Sequence, residues 1–258
     1  MPLARAALEA ALRARQLDRT LTTSLTGTGP AVDPERGLSP FSIAALDARL
    51  GGGLPRGQLS ELVGPRSSGR TSLLLRLLAA ATARGELVAL VDALDMLDVE
   101  SAAAAGVDLA RLLWIRGHVV PNPGFCRDMN QRAMEQAVRA CALVLQAGNF
   151  GIVAFDAAEA PAEAIRRLPF TTWLRLQRMV EGTPTTCVLV GTAPVARSAG
   201  GLTLQCGLRN ADGGLRVQDR GVRFGARLFE GLAIETRVVR ARAQGGDDVR
   251  VPLQTTCA

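Results

Sequence analysis

The chain has 258 residues, 48% of them hydrophobic, enough to bury the core of an α/β domain. Thirty basic against 24 acidic residues give a net charge of +6 and a pI near 10.1, which points to an anionic partner such as nucleic acid or to a solvated basic surface. A single histidine (His118) argues against metal–histidine clusters and Ser-His-Asp chemistry, five scattered cysteines (Cys126, Cys141, Cys187, Cys206, Cys257) indicate neither a zinc site nor a disulfide framework, and the lack of a long uncharged apolar run argues against a membrane span.

The N-terminus, "MPLARAALEAALRARQ", is charged throughout and lacks the apolar core of a secretory signal, so a cytoplasmic location is the default expectation. Apolar residues at helical spacing (Leu3, Ala7, Leu8, Ala11, Leu12) predict an N-terminal helix over residues 1–20. Residues 21–40, with "TSLTGTGPAVDPERGLSP", predict a linker, and the core domain is expected from 41 to 258. "GQLSELVG" predicts a strand, Gly69–Arg84 a helix, Glu86–Ala93 a buried strand, Val99–Ala105 a short helix and "RLLWIRG" a further strand. Arg127–Gln146 has helical spacing, and Phe150–Ala157 is a strand that carries Asp156 near its end. Ala162–Val180 is helical with an interruption at Pro169, and Thr185–Thr192 is a strand. After residue 198 the pattern changes to shorter alternating strands such as "LAIETRVVRARA". The alternation predicts an α/β fold: a central, mostly parallel twisted sheet flanked by helices, with antiparallel strands near the C-terminus.

Between the first of these strands and its helix lies "GPRSSGRT", which nearly matches the phosphate-binding pattern G-x-x-x-x-G-K-[ST]. Gly64, Gly69 and Thr71 stand where the pattern needs them, and Arg70 stands in place of lysine. All 30 basic residues are arginine, so no lysine elsewhere can substitute. In such a loop backbone N–H groups and a helix N-terminus face phosphate. A compact ammonium and a hydroxyl serve the β/γ-phosphates and magnesium, and a strand-ending carboxylate completes the magnesium shell. Arginine is a longer, planar fork. Gly64, Ser67, Ser68, Gly69, Arg70, Thr71 and Asp156 therefore form a candidate, vestigial nucleotide site.

The flanking residues sharpen the pattern. "FSIAALDARLGGGLPRGQLSELVGPRSSGRT" and "VDALDMLD" resemble the ATPase core of the RecA recombinase family, with its Ser-x-x-x-Leu-Asp entry, Gly-Gly-Leu-Pro-x-Gly turn, G-P-x-S-S-G-K-T loop and I-D-A-E-x-x-L-D segment. "VAFDAAEA", the "AGG" after the fifth strand and "EGLAIETRVVRARA" extend the resemblance over Phe41–Gln244. It implies a RecA-like P-loop core in which the recombinase C-terminal domain is absent. The departures fall on chemistry rather than packing. Leu94 stands where the family's water-polarising glutamate is expected, with Asp95 beside it as a shifted substitute. Ser101 lies near the adenine-stacking aromatic position, and Gly191 and Thr192 replace the γ-phosphate-sensing glutamine. Losing such groups costs on the order of 10²–10⁴ in rate each. The resemblance thus implies no catalytic residues, with Arg70, Leu94 and Thr192 as degenerate positions, and no required cofactor. Residual binding of ATP or ADP with magnesium stays open.

Two segments correspond to the family's DNA-gripping loops. Arg166 and Arg167, with Trp173 further on, mark the first, and Arg197 marks a shortened second. Arg166 and Arg167 fit a solvated helix start equally well, and few aromatics are present for stacking on single-stranded nucleic acid. Residues 117–133 look longer than the family's equivalent, as a surface loop or a partner-binding insertion. The N-terminal helix fits self-association or a fold-back on its own domain. A short, motif-degenerate RecA relative resembles the ImuA family of inducible mutagenesis. That resemblance implies a non-catalytic adaptor in SOS translesion synthesis and DNA repair, located at the nucleoid. Its implied partners are an ImuB-type polymerase-like protein, an error-prone C-family DNA polymerase and, as a further candidate, RecA. The alternatives are a DNA-dependent ATPase with an arginine P-loop and a SulA-like cell-division inhibitor.

Overall fold

The computed structural model describes residues 37–117, 126–196, 200–209, 215–216, 231–241 and 250–256. The expected N-terminal helix, most of the expected linker, His118, Arg197 and Cys257 lie outside the described residues.

The described chain starts with a strand inside the stretch read as linker. β1 (Leu38–Ser39) pairs antiparallel with β2 (Leu54–Pro55), and α1 (Ala44–Arg49) lies between them. The residues of the Ser-x-x-x-Leu-Asp entry hold this turn. Asp47 accepts hydrogen bonds from the backbone N–H of Phe41 (2.8 Å) and of Ile43 (3.0 Å), and Leu46 is fully buried. Gly53, at φ 136°, lies so close to β1 that a Cβ would sit 2.3 Å from the Ser39 carbonyl oxygen. Only glycine fits that approach.

Next come β3 (Leu59–Val63), α2 (Arg70–Ala83), β4 (Val88–Asp92), α3 (Val99–Ala104), β5 (Leu112–Arg116) and α4 (Arg127–Ala147). They are followed by β6 (Ile152–Asp156), α5 (Ala162–Arg166), α6 (Phe170–Val180) and β7 (Thr186–Gly191). β8 (Gly200–Arg209), β9 (Leu215–Arg216), β10 (Gly231–Ala241) and β11 (Arg250–Thr256) complete the described elements. The expected interruption of the long helix at Pro169 separates α5 from α6, as a proline lacking an N–H donor dictates.

The main sheet has the order β11-β10-β8-β3-β7-β6-β4-β5, with β9 paired to β8. From β8 to β5 the neighbours are parallel, and β8, β10 and β11 are antiparallel. The fold class read from the sequence is therefore the one observed. One detail differs: β8 and β10 run 10 and 11 residues, longer than the five-residue parallel strands, although the sequence suggested shorter ones. Polar residues such as Thr203 and Gln205 alternate within β8 without ending it, because Leu202, Leu204 and Cys206 keep one face on the core and Thr203 bonds Glu61 on the other.

Successive residues of the parallel strands point to opposite faces. Val88, Leu90, Ile152, Ala154, Val188 and Val190 join the core that contains α2 residues, and Ala89, Val91, Val153, Phe155, Cys187 and Leu189 join the one that contains α4 and α6 residues. Both faces are covered, which is why these strands lack polar alternation. α2 has so many buried positions (Leu73, Leu74, Leu75, Leu77, Leu78) that it is apolar on nearly all sides after its first turn. Cys141, Cys187 and Cys206 are fully buried, and Cys126 is partly buried. The Cys141 hydrogen bond and burial push the Cys187 thiol well above its ordinary pKa, so these thiols pack as small apolar groups.

Leu90 is 1% exposed in the middle of β4. Leu90→Ala is expected to lower unfolding free energy by about 2–5 kcal/mol, measured by urea denaturation.

Candidate functional site

All five parallel strands between β3 and β5 end on the same edge of the sheet, the edge where open α/β sheets place their sites. The loop from β3 to α2 is anchored there. The Gly64 N–H donates to the Gly191 carbonyl (3.1 Å), and a Cβ on Gly64 would lie 2.5 Å from both the Cys206 carbonyl oxygen and the Ser68 hydroxyl. Ser67 (φ 58°) and Gly69 (φ 84°) take left-handed conformations, which turn the chain sharply into α2. Ser67 and Thr71 are exposed, while Ser68 is buried and its hydroxyl finds no hydrogen-bond partner among the described residues.

Arg70, the first residue of α2, is 4% exposed, and its side chain turns back across the loop. One terminal nitrogen donates to the Gly64 carbonyl. The other donates to the Ala158 carbonyl (3.2 Å) and to the Glu159 carboxylate (2.8 Å). A buried guanidinium keeps its charge and must satisfy its N–H donors, and here it does so on the protein's own acceptors. The second Glu159 oxygen accepts from Arg66 Nε at 2.6 Å. The group that takes the place of a phosphate-binding lysine thus ties the loop to the segment after β6. In this arrangement the cation at the loop's helix start is committed to two carbonyls and a carboxylate.

Two carboxylates lie side by side beyond this contact, because Asp92 and Asp156 are register partners on β4 and β6. Asp156 accepts from the Ala158 N–H (2.8 Å). Burial pushes its pKa up to about 6, and the nearby Asp92 and Glu159 charges push the same way against the Ala158 N–H and Arg70. Asp92, 2% exposed, accepts from the Leu97 N–H (2.7 Å) and from the Trp114 indole (3.3 Å).

The other predicted positions fall as follows. Leu94 is 5% exposed within the α4-side core, so an apolar side chain occupies the expected base position. Asp95, in a left-handed turn (φ 61°), is clamped by both nitrogens of the Arg116 fork at 2.7 Å, and Arg116 stacks 4.7 Å over Trp114. The Arg116 hydrogen bond holds the Asp95 carboxyl below its usual range. This clamp ties Asp95 to β5 and engages both of its oxygens. Ser101 bonds Asp98, the residue that caps α3. Thr192 is exposed just past β7.

Arg166 and Arg167 are exposed on α5 and the residue after it, and Arg167 pairs with Glu163 at 3.0 Å. Trp173 is 3% exposed and packs edge-to-face on Phe155 with ring centroids 6.2 Å apart. A ring committed to the core offers no stacking platform, which corrects its reading as part of a DNA loop.

Sequence reasoning missed two residues of this edge. Glu61, 1% exposed on β3, accepts from the N–H groups of Val195 (2.7 Å) and Ala196 (2.9 Å) and from the Thr203 hydroxyl (2.9 Å). It pins the segment after β7 to the strand that leads into the phosphate loop. Its signal was a carboxylate inside the apolar run "LSELV". Glu159, the partner of Arg66 and Arg70, carried only the weaker signal of an acid three residues beyond the strand-ending Asp156.

The family profile described as the RecA N-terminal domain matches residues 31–160, half of the chain. The chain therefore belongs to the RecA N-terminal domain family. It is similar to Protein RecA of Kineococcus radiotolerans, at 35% identity over 156 residues, covering 60% of this chain and 40% of that protein. Protein RecA of Lactobacillus delbrueckii subsp. bulgaricus is 33% identical over 158 residues (60% of this chain and 43% of the relative). Protein RecA of Arthrospira platensis is 43% identical over 98 residues (38% and 25%). The matched part of the chain spans 25–43% of the length of these curated relatives.

The Asp156 environment sets a pH dependence. A carboxylate pKa raised on folding means that the folded chain binds the proton more tightly than the unfolded chain does. The stability this gives is fully present below pH 3.8 and is lost as pH rises through about 6. Asp156→Asn keeps an acceptor for the Ala158 N–H and removes the titration. Relative to wild type, the variant is expected to gain up to about 3 kcal/mol between pH 4 and pH 7, measured by urea denaturation across that range.

Proposed function

We propose that the chain is a RecA-like adaptor without ATP turnover, similar to the ImuA proteins, which helps to assemble an error-prone polymerase complex in DNA-damage-induced translesion synthesis. The observation that carries this reading is the commitment of the Arg70 guanidinium to Gly64, Ala158 and Glu159 in place of a phosphate. Leu94 buried at the base position and Asp95 clamped by Arg116 support it. Packing positions of the family core remain while the reactive ones are replaced, as suits a scaffold whose use lies in its surfaces.

On this reading the chain needs no cofactor and acts in the cytoplasm, at the nucleoid. Its partners are an ImuB-type polymerase-like protein, a C-family DNA polymerase and RecA. Leu113 on the edge strand β5 and Leu143 on α4 are exposed apolar contact points for such partners. Arg166 and Arg167 supply exposed cations for non-specific contact with single-stranded DNA.

The test is ATP turnover by the purified chain with magnesium, with and without single-stranded DNA, beside co-purification with an ImuB-type protein. No turnover and a stoichiometric complex are expected. Arg70→Lys alone is expected to leave turnover at background, because Leu94 still supplies no base. DNA-stimulated hydrolysis by the wild-type chain would replace the adaptor with the DNA-dependent ATPase.

A further inference from the structure

Arg66 and Arg70 leave the phosphate loop in different directions, one with a side chain 78% exposed and the other at 4%, yet both end on one carboxylate. Glu159 gives one oxygen to each guanidinium, at 2.6 Å from Arg66 Nε and 2.8 Å from Arg70 Nη2. The first turn of α2 contains no acidic residue of its own, so the positive end of this helix gains its counter-charge from a different part of the chain. A carboxylate and a phosphate compete for the same planar guanidinium fork.

We infer that Glu159 is the resident anion of the loop, a specificity-determining residue that occupies Arg66 and Arg70 and so excludes phosphate-bearing ligands. The inference rests on the reading above that the chain works without nucleotide, and it names what keeps nucleotide out. The remaining Arg70 acceptors, Gly64 O and Ala158 O, are neutral, so among the described residues Glu159 is the carboxylate that pairs with this buried cation. The buried Ser68 hydroxyl, without a partner among the described residues, leaves a further polar group within the loop for an entering anion.

The test uses Glu159→Gln and Glu159→Ala in the full chain, with inorganic pyrophosphate and ATP as probes in calorimetric titration and circular dichroism as a check of folding. Glutamine keeps the size of the side chain and an acceptor for the arginines, so it decides the question if the alanine variant fails to fold. Pyrophosphate is expected to bind the glutamine variant at least about tenfold more tightly than wild type, the scale of one charge-assisted hydrogen bond. Adding Arg70→Ala to that variant is expected to cancel the gain, which separates release of this arginine from a general change in charge. Saturable pyrophosphate binding by wild type with no tightening in the variants overturns the inference and the nucleotide-free reading together. A folded glutamine variant that binds no more tightly than a non-binding wild type overturns the inference alone.

Discussion

A guanidinium at the start of a buried helix has no means of shedding its charge, so the surrounding chain must supply acceptors for it. Arg70 finds them on both sides of the sheet edge: the Gly64 carbonyl at the mouth of its own loop, and the Ala158 carbonyl and Glu159 carboxylate beyond β6. This set of contacts ties the phosphate loop, with its turn through Ser67 and Gly69, to the segment after β6.

The rest of the edge is also held by internal contacts. Glu61 anchors Val195 and Ala196, at the start of the segment after β7, to β3. Arg116 holds both oxygens of Asp95, and Asp92 is engaged by Leu97 and Trp114. These carboxylates, drawn out of water, find partners within the fold, as burial requires, whereas the buried Ser68 hydroxyl finds none among the described residues. Asp156 is the exception in character: it is pushed toward the neutral acid by burial and by two neighbouring negative charges, with one N–H and Arg70 acting the other way.

The outer surface carries exposed groups of its own. The edge strand β5 and the outer side of α4 carry Leu113 and Leu143 in water, and α5 presents arginines. On the adaptor reading proposed above, these are the features through which protein or nucleic-acid partners are met. The sheet itself supplies the rigidity: the apolar positions of β4, β6 and β7 alternate strictly between two cores, so a shift of one residue would turn both faces inside out.

The amino-acid sequence by itself determined the order of strands and helices, the break at Pro169 and the position of the phosphate loop, because these depend on local periodicity and on a contiguous motif. The family resemblance also implied which reactive positions differ, since each is a single position within a recognisable segment. It placed Trp173 wrongly at a nucleic-acid surface, because one aromatic residue on an amphipathic helix reads the same whichever face it occupies. Only the tertiary structure decided that Arg70 turns inward. Its partners lie 6, 88 and 89 residues away in the chain, and no local pattern couples them. The same holds for Glu61 and Thr203, 142 residues apart. The direction of a long charged side chain is set by the acceptors that folding brings to it, and those exist only when β3, β6 and β8 lie in one sheet.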